Sequence, residues 1–230
     1  MTLPLGSRNR NQGFSLIEVI IAMFILVVGL LGLAGLQLAV TQGNHDSYIR
    51  SQAMVLTQSL ADRMRLNSQY LNRTANTSPV LNAATDNRYS ASSSYNFDGL
   101  GSCSGQPWDC FCQATPSAIP RCGDNNGTDA SVCSAEQLAL FDGWQASCDG
   151  AALHPDFWIQ VTCQDADGTD GDACSAHSTH LITASWPASE ALEAARVSCP
   201  TDIDLGLAAA GTENVDRHCV LLSVTFGGSR

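Results

Sequence analysis

RNRNQGFSLIEVIIAMFILVVGLLGLAGLQ, residues Arg8 to Gln37, is almost wholly apolar from Phe14 onward, yet Glu18 interrupts it near its start. A carboxylate at mid-membrane costs about 2.5 to 3.5 kcal/mol on insertion scales, so such a residue is expected to have a partner. No Lys or Arg lies inside the run. What neutralises Glu18 therefore decides how the segment is read.

Val19 to Leu36 is an unbroken stretch of eighteen apolar residues, enough for one membrane-spanning helix. Arg8 and Arg10 precede it without an acidic residue, which keeps the N-terminus cytoplasmic and exports the rest. A cleaved signal peptide is the alternative. It fits less well, because the small residues Gly32-Leu33-Ala34 lie inside the apolar run rather than after it. Cleavage after Gly13 answers the Glu18 question. Phe14 then carries a new α-ammonium one helical turn before Glu18, on the same subunit or on a neighbour packed beside it.

The remaining composition agrees with export. The formal charge is −11 and every basic residue is arginine, which is a poor basis for binding nucleic acid. All ten cysteines lie between Cys103 and Cys219, an even set of the kind that forms disulfides in an oxidising compartment. Zinc is the competing use, through Cys174, His177 and His180. The paired Cys-x-x-Cys of zinc ribbons is missing, however, so no metal or other cofactor is expected.

Gly13-Phe14-Ser15-Leu16-Ile17-Glu18-Val19 resembles the leader junction of type IV pilins and type II secretion pseudopilins. The resemblance implies cleavage between Gly13 and Phe14, N-methylation of Phe14, and pairing of Glu18 with a neighbouring subunit's N-terminus during assembly. Gly29 to Gln37 and Leu60 to Asn67 further resemble the N-terminal third of the PilV family of minor pilins. Leu138 to Gln145, with Asp142 and Trp144, is similar to a short helix of that family.

The expected organisation is a leader over 1–13, a transmembrane or filament-core helix over 14–40, an amphipathic continuation over 41–73 and a periplasmic disulfide-rich domain over 74–230. In the continuation, Ile49, Ala53, Leu56, Leu60 and Met64 recur every three or four residues and mark a face laid on the domain. Gly29, Gly32 and Gly35 fall near one face; they serve either close helix packing or a local weak point. Thr74 to Ser104 is polar and reads as a long surface loop. Strands are expected over Phe157–Cys163, His180–Trp186 and Cys219–Phe226, and a short helix over Ser189–Val197. A long helix on a small antiparallel sheet is an α+β fold. The resemblance implies the same one, the type IV pilin fold.

Two stretches, Cys122 to Cys133 and Cys163 to Cys174, share the pattern C-x-D-x-[ND]-G-T-D-x-x-x-C. Asn126-Gly127 and Asp167-Gly168 are turn dipeptides, so each pair of flanking cysteines is expected to close its own loop. Calcium held by the Asp and Asn oxygens is the alternative, although neither loop has the EF-hand order. Cys199 with Cys219 is a third expected pair, on proximity in sequence alone.

No catalytic set stands out: His45, His154, His177, His180 and His218 have no nucleophile context, and an enzyme is not expected. A membrane-anchored binding domain would leave Gly13 and Glu18 without a role, whereas a type II secretion pseudopilin would use both. The reading adopted is a minor pilin acting in a priming or tip complex. Its partners would be other minor and major pilins, the prepilin peptidase, the assembly platform and an adhesin at the tip. It would cross the inner membrane once and then join the pilus.

Overall fold

The structure, a computed structural model, describes residues 15–72, 87–122, 132–169, 174–187, 199 and 217–226. Among these the first element is α1 (Leu16–Leu66), a helix of 51 residues. It enters two compact units, 1–45 and 46–230. In the first unit its apolar side chains are uncovered all round: Leu16 is 76% exposed and Phe24 70%. By length and composition this stretch is long and apolar enough to cross a membrane.

Within the second unit the rest of α1 is amphipathic. Ile49, Ala53, Leu56, Leu60, Ala61 and Met64 form a buried stripe at helical spacing. The chain continues through α2 (Ser68–Leu71), a short 3₁₀ turn (Ser92–Ser94) and α3 (Pro107–Phe111) to α4 (Ala135–Leu153). The α4 start is a full capping box: the Ser134 hydroxyl accepts from the Gln137 backbone N–H, and the Gln137 side chain accepts from the Ser134 N–H. It ends at His154, whose N–H bonds the Gly150 carbonyl, with Pro155 next in the chain.

Strands β1 (Trp158–Gln164), β2 (Thr179–Pro187) and β3 (Arg217–Thr225) form an antiparallel sheet in the order β1-β2-β3. The register sets Ile159 against Ala184 and Val161 against Ile182, with Val220 and Leu222 opposite the same two β2 residues. Ile159, Val161, Ile182, Ala184, Val220 and Val224 join the stripe of α1 in one core. The outer edge of β1 is partly occupied. Asn96 Nδ2 donates to the Ile159 carbonyl at 2.8 Å and its Oδ1 accepts the Ile159 N–H at 3.0 Å, so a side-chain amide stands in for a neighbouring strand.

The polar stretch expected as a surface loop needs correction over 87–104. Tyr89, Ala91, Ser94 and Tyr95 are buried there. The tyrosines bury their rings because each hydroxyl finds an acceptor, Tyr89 on Asp142 and Tyr95 on the Tyr89 carbonyl. The helix expected over Ser189–Val197 lies outside the described residues.

Two α4 glycines are dictated by contact. A Cβ on Gly150 would stand 2.3 Å from Phe157 Cδ1, and one on Gly143 would stand 2.5 Å from the Ser94 carbonyl oxygen. At Gly143 the obstacle is backbone, which gives less readily than a ring. Gly143→Ala is expected to destabilise the protein by about 1–2 kcal/mol, the overpacking cost exceeding the gain in helix propensity. Thermal melting checks it; an unchanged or raised melting temperature would show that α4 does not press on the 3₁₀ turn.

Candidate functional site

In the N-terminal segment the Ser15 carbonyl accepts the Glu18 N–H at 3.0 Å, which places Glu18 in the first turn of α1. Its side chain is exposed and makes no ion pair among the described residues. The sequence offers no Lys or Arg from residue 15 to residue 49. The carboxylate is therefore presented on an otherwise apolar surface, with no Lys or Arg on its own helix before Arg50. Gly13 and Phe14 lie outside the described residues.

The other end of α1 is tied to the head by a buried polar network. Arg63 Nη1 donates to Asp142 Oδ1 at 3.2 Å and to Gln145 Oε1 at 2.6 Å. The Tyr89 hydroxyl donates to Asp142 Oδ2 at 2.7 Å, and Asn67 Nδ2 donates to the Ala135 carbonyl at 2.8 Å and to the Tyr89 oxygen at 3.3 Å. Burial pushes the Asp142 carboxyl up, while the Tyr89 hydroxyl and the Arg63 guanidinium pull it down. Burial and then the neighbouring Asp142 push the Tyr89 phenol well above its usual range. Breaking one partner of such a network costs far more than its net worth, so it holds the C-terminal end of α1 against α4. Leu60 to Asn67 and Leu138 to Gln145, the two stretches singled out above, thus meet in space.

Five disulfides fasten the head. Cys122 is joined to Cys133 with Cα atoms 5.7 Å apart, Cys163 to Cys174 at 5.9 Å and Cys199 to Cys219 at 5.2 Å. Cys103–Cys110 and Cys112–Cys148 complete the set. Sequence reasoning did not assign these two. Cys110 and Cys112 flank one residue, and that spacing alone does not say which goes to the near partner and which to α4.

Cys163, Cys174 and His180 bring two sulfurs and a ring nitrogen within 4.8 Å of one another. The sulfurs are bonded to each other and offer no thiolate, and His177 of the zinc reading is exposed. The Asp-rich loop is likewise engaged locally. Asp165 Oδ1 accepts from the Ser175 N–H and hydroxyl, and Asp167 Oδ1 accepts from both groups of Thr169. These bonds, the hydroxyl of Ser175 first and that of Thr169 first, hold the two carboxyls below their usual range.

His180 is 1% exposed, and its Nε2 accepts from Asn87 Nδ2 at 2.9 Å, which assigns the neutral ring with its proton on Nδ1. Phe226 packs edge-on at 5.3 Å. Burial pushes the pKa down to about 4, against a weaker upward pull from the Ser178 backbone. The unfolded chain takes up this proton near pH 6.5 and the folded chain only near pH 4. The contribution is present above pH 6.5 and is lost as pH falls toward 4, about 3 kcal/mol at about 1.4 kcal/mol per pH unit. Denaturant titrations across that window should show the loss, and His180→Gln should flatten it; an identical slope in the variant would assign the effect elsewhere.

Residues 8–34 match the family model described as the prokaryotic N-terminal methylation motif. These residues are similar to a prepilin-type N-terminus. The likeness supports a type IV pilin-like or pseudopilin protein, and with it a structural rather than an enzymatic one. The long apolar helix, the three-stranded antiparallel sheet and the disulfides of the C-terminal part accord with a type IV pilin fold. No curated protein and no solved structure matches the chain.

Proposed function

We propose that this protein is a minor pilin of a type IV pilus, of PilV type. It waits as a single-pass protein in the inner membrane, with its N-terminus cytoplasmic and its head periplasmic, and enters the filament at or near the tip. The observation that carries this reading is the methylation motif of residues 8–34, with Glu18 as the fifth residue after Gly13. Cleavage after Gly13 creates the ammonium that the exposed carboxylate lacks. Pairing that ammonium with Glu18 of an adjacent subunit sets the axial register of one helix on the next, and the uncovered apolar surface of α1 exchanges lipid for neighbouring helices. The protein does its work by assembly, without chemistry of its own.

The partners on this reading are the prepilin peptidase, other minor and major pilins, the assembly platform and an adhesin at the tip. The PilV assignment is supported by Gly29 to Gln37 and by Leu60 to Asn67, whose Arg63 meets Asp142. A type II secretion pseudopilin shares the N-terminal motif and is the second reading. Deletion of the gene separates them. Loss of surface filaments with normal release of secreted proteins supports the pilus, and the reverse pattern would assign the chain to secretion.

A further inference from the structure

The five disulfides differ in what surrounds them. Four of them have one cysteine sunk in the head: Cys148 is 8% exposed, Cys122 and Cys174 7% and Cys219 5%. Cys103–Cys110 has neither, since Cys110 is exposed and Cys103 half-buried. Its setting is just as open. The bond spans 7 positions and closes a loop around α3, a helix that buries none of its residues. Trp108, inside that loop, is 41% exposed. Among the described residues, the hydrogen bonds of 103–110 reach no further than Cys112 and Gln113, directly after it in the chain. From Phe111 onward the chain is held firmly. The Phe111 ring stacks on Phe97 at 5.0 Å, its carbonyl accepts the Trp144 Nε1–H at 3.0 Å, and Cys112 is bonded to Cys148 of α4.

A fold protects a disulfide in two ways. It screens the sulfurs from an attacking thiolate, and it keeps the two thiols close after the bond is cut, so that closure is favoured. The first protection is missing at Cys110, and the second is slight across a segment that buries nothing. We infer that Cys103–Cys110 is a thiol-exchange site, at which Cys110 takes up a small thiol as a mixed disulfide. The thiol first loses its proton to water, and its sulfur attacks Cys110 Sγ. A new S–S bond forms there as the Cys103–Cys110 bond breaks, and Cys103 leaves as a thiolate that takes a proton from water. One disulfide replaces another, so the step needs no outside oxidant or reductant. Charge sets the class of thiol. Asp109 is exposed beside Cys110, and the sequence holds no Lys or Arg from 89 to 120, so a neutral or cationic thiol approaches more readily than an anionic one. Exchange frees α3 from Cys103, while the Cys112–Cys148 link keeps the chain fastened to α4.

The test uses the full chain in a non-ionic detergent, with cysteamine as the probe because its ammonium is not repelled by Asp109. Native protein is exposed to cysteamine at about pH 8, where part of the thiol is ionised. Samples are trapped with excess N-ethylmaleimide at intervals and mapped by peptide mass spectrometry. At the earliest times Cys110 is expected to carry cysteamine and Cys103 the maleimide. This bond should open roughly tenfold or more faster than any of the other four. In a variant with both Cys103→Ser and Cys110→Ser, the fast reaction should vanish and the remaining eight cysteines should stay unmodified over the same period. Three results would overturn the proposal: another pair opening as fast in the native protein, cysteamine on Cys103 with maleimide on Cys110, or fast labelling that persists in the double variant.

Discussion

Glu18→Ala is expected to remove the protein from sheared filaments while leaving it in the membrane. The two effects separate because the carboxylate is costly in lipid and useful only opposite an ammonium. Its loss makes the apolar run more uniform, so insertion is kept or improved, by about 2.5 to 3.5 kcal/mol at mid-membrane and by less near the interface. In an assembly the same change leaves a neighbour's N-terminal ammonium facing apolar side chains without its counter-charge, and removing one partner of a desolvated pair costs about 3–5 kcal/mol. Incorporation should then fall by at least tenfold. Immunoblots of membrane and sheared fractions measure both quantities. Wild-type incorporation of the alanine variant would exclude charge pairing as the device that sets register.

The second large effect concerns the disulfide between Cys112 and Cys148. It spans 36 positions, the widest separation of the five, and joins the C-cap of α3 to the C-terminal third of α4. In the chain-entropy model, closing a loop of that length stabilises by about 4 kcal/mol, against about 2–3 kcal/mol for the Cys103–Cys110 loop. Replacing both Cys112 and Cys148 by alanine should therefore lower the melting temperature by roughly 10 °C. The Cys103 and Cys110 double variant should lose clearly less. Equal losses would show that native-state packing of the 103–112 segment, rather than the constraint on the unfolded chain, sets the contribution.

Much of the architecture is legible in residue pattern because it rests on periodicity. The α1 stripe from Ile49 to Met64 repeats at helical spacing, and the three strand segments show branched and aromatic residues between turn signals. The strand ends differ by one or two residues from expectation, as in β1 at Trp158–Gln164, where alternation runs on into the neighbouring loop. The burial of Tyr89 and Tyr95 was not legible. Each stands among serines and asparagines, and its burial depends on an acceptor that residue type does not announce: Asp142 in α4 for Tyr89 and the Tyr89 carbonyl for Tyr95. The same holds for Asn96, whose bonds to Ile159 join a polar stretch to a strand edge 63 positions away. Asp142 and Arg63 were visible as residues of two separate stretches, but their contact is a product of the tertiary fold. The stacking of Phe97 on Phe111 follows from a left-handed backbone at Asn96 and Phe97 that no pattern of residue types announces.

On the proposed reading, processing after Gly13 creates the cation that Glu18 awaits. Intact mass spectrometry and N-terminal sequencing of the protein from its own membranes test this most directly. The expected result is a mature chain beginning with N-methylated Phe14, with Glu18 as its fifth residue. A chain still beginning at Met1, or one cut after Ala34 and so lacking Glu18 altogether, would contradict it.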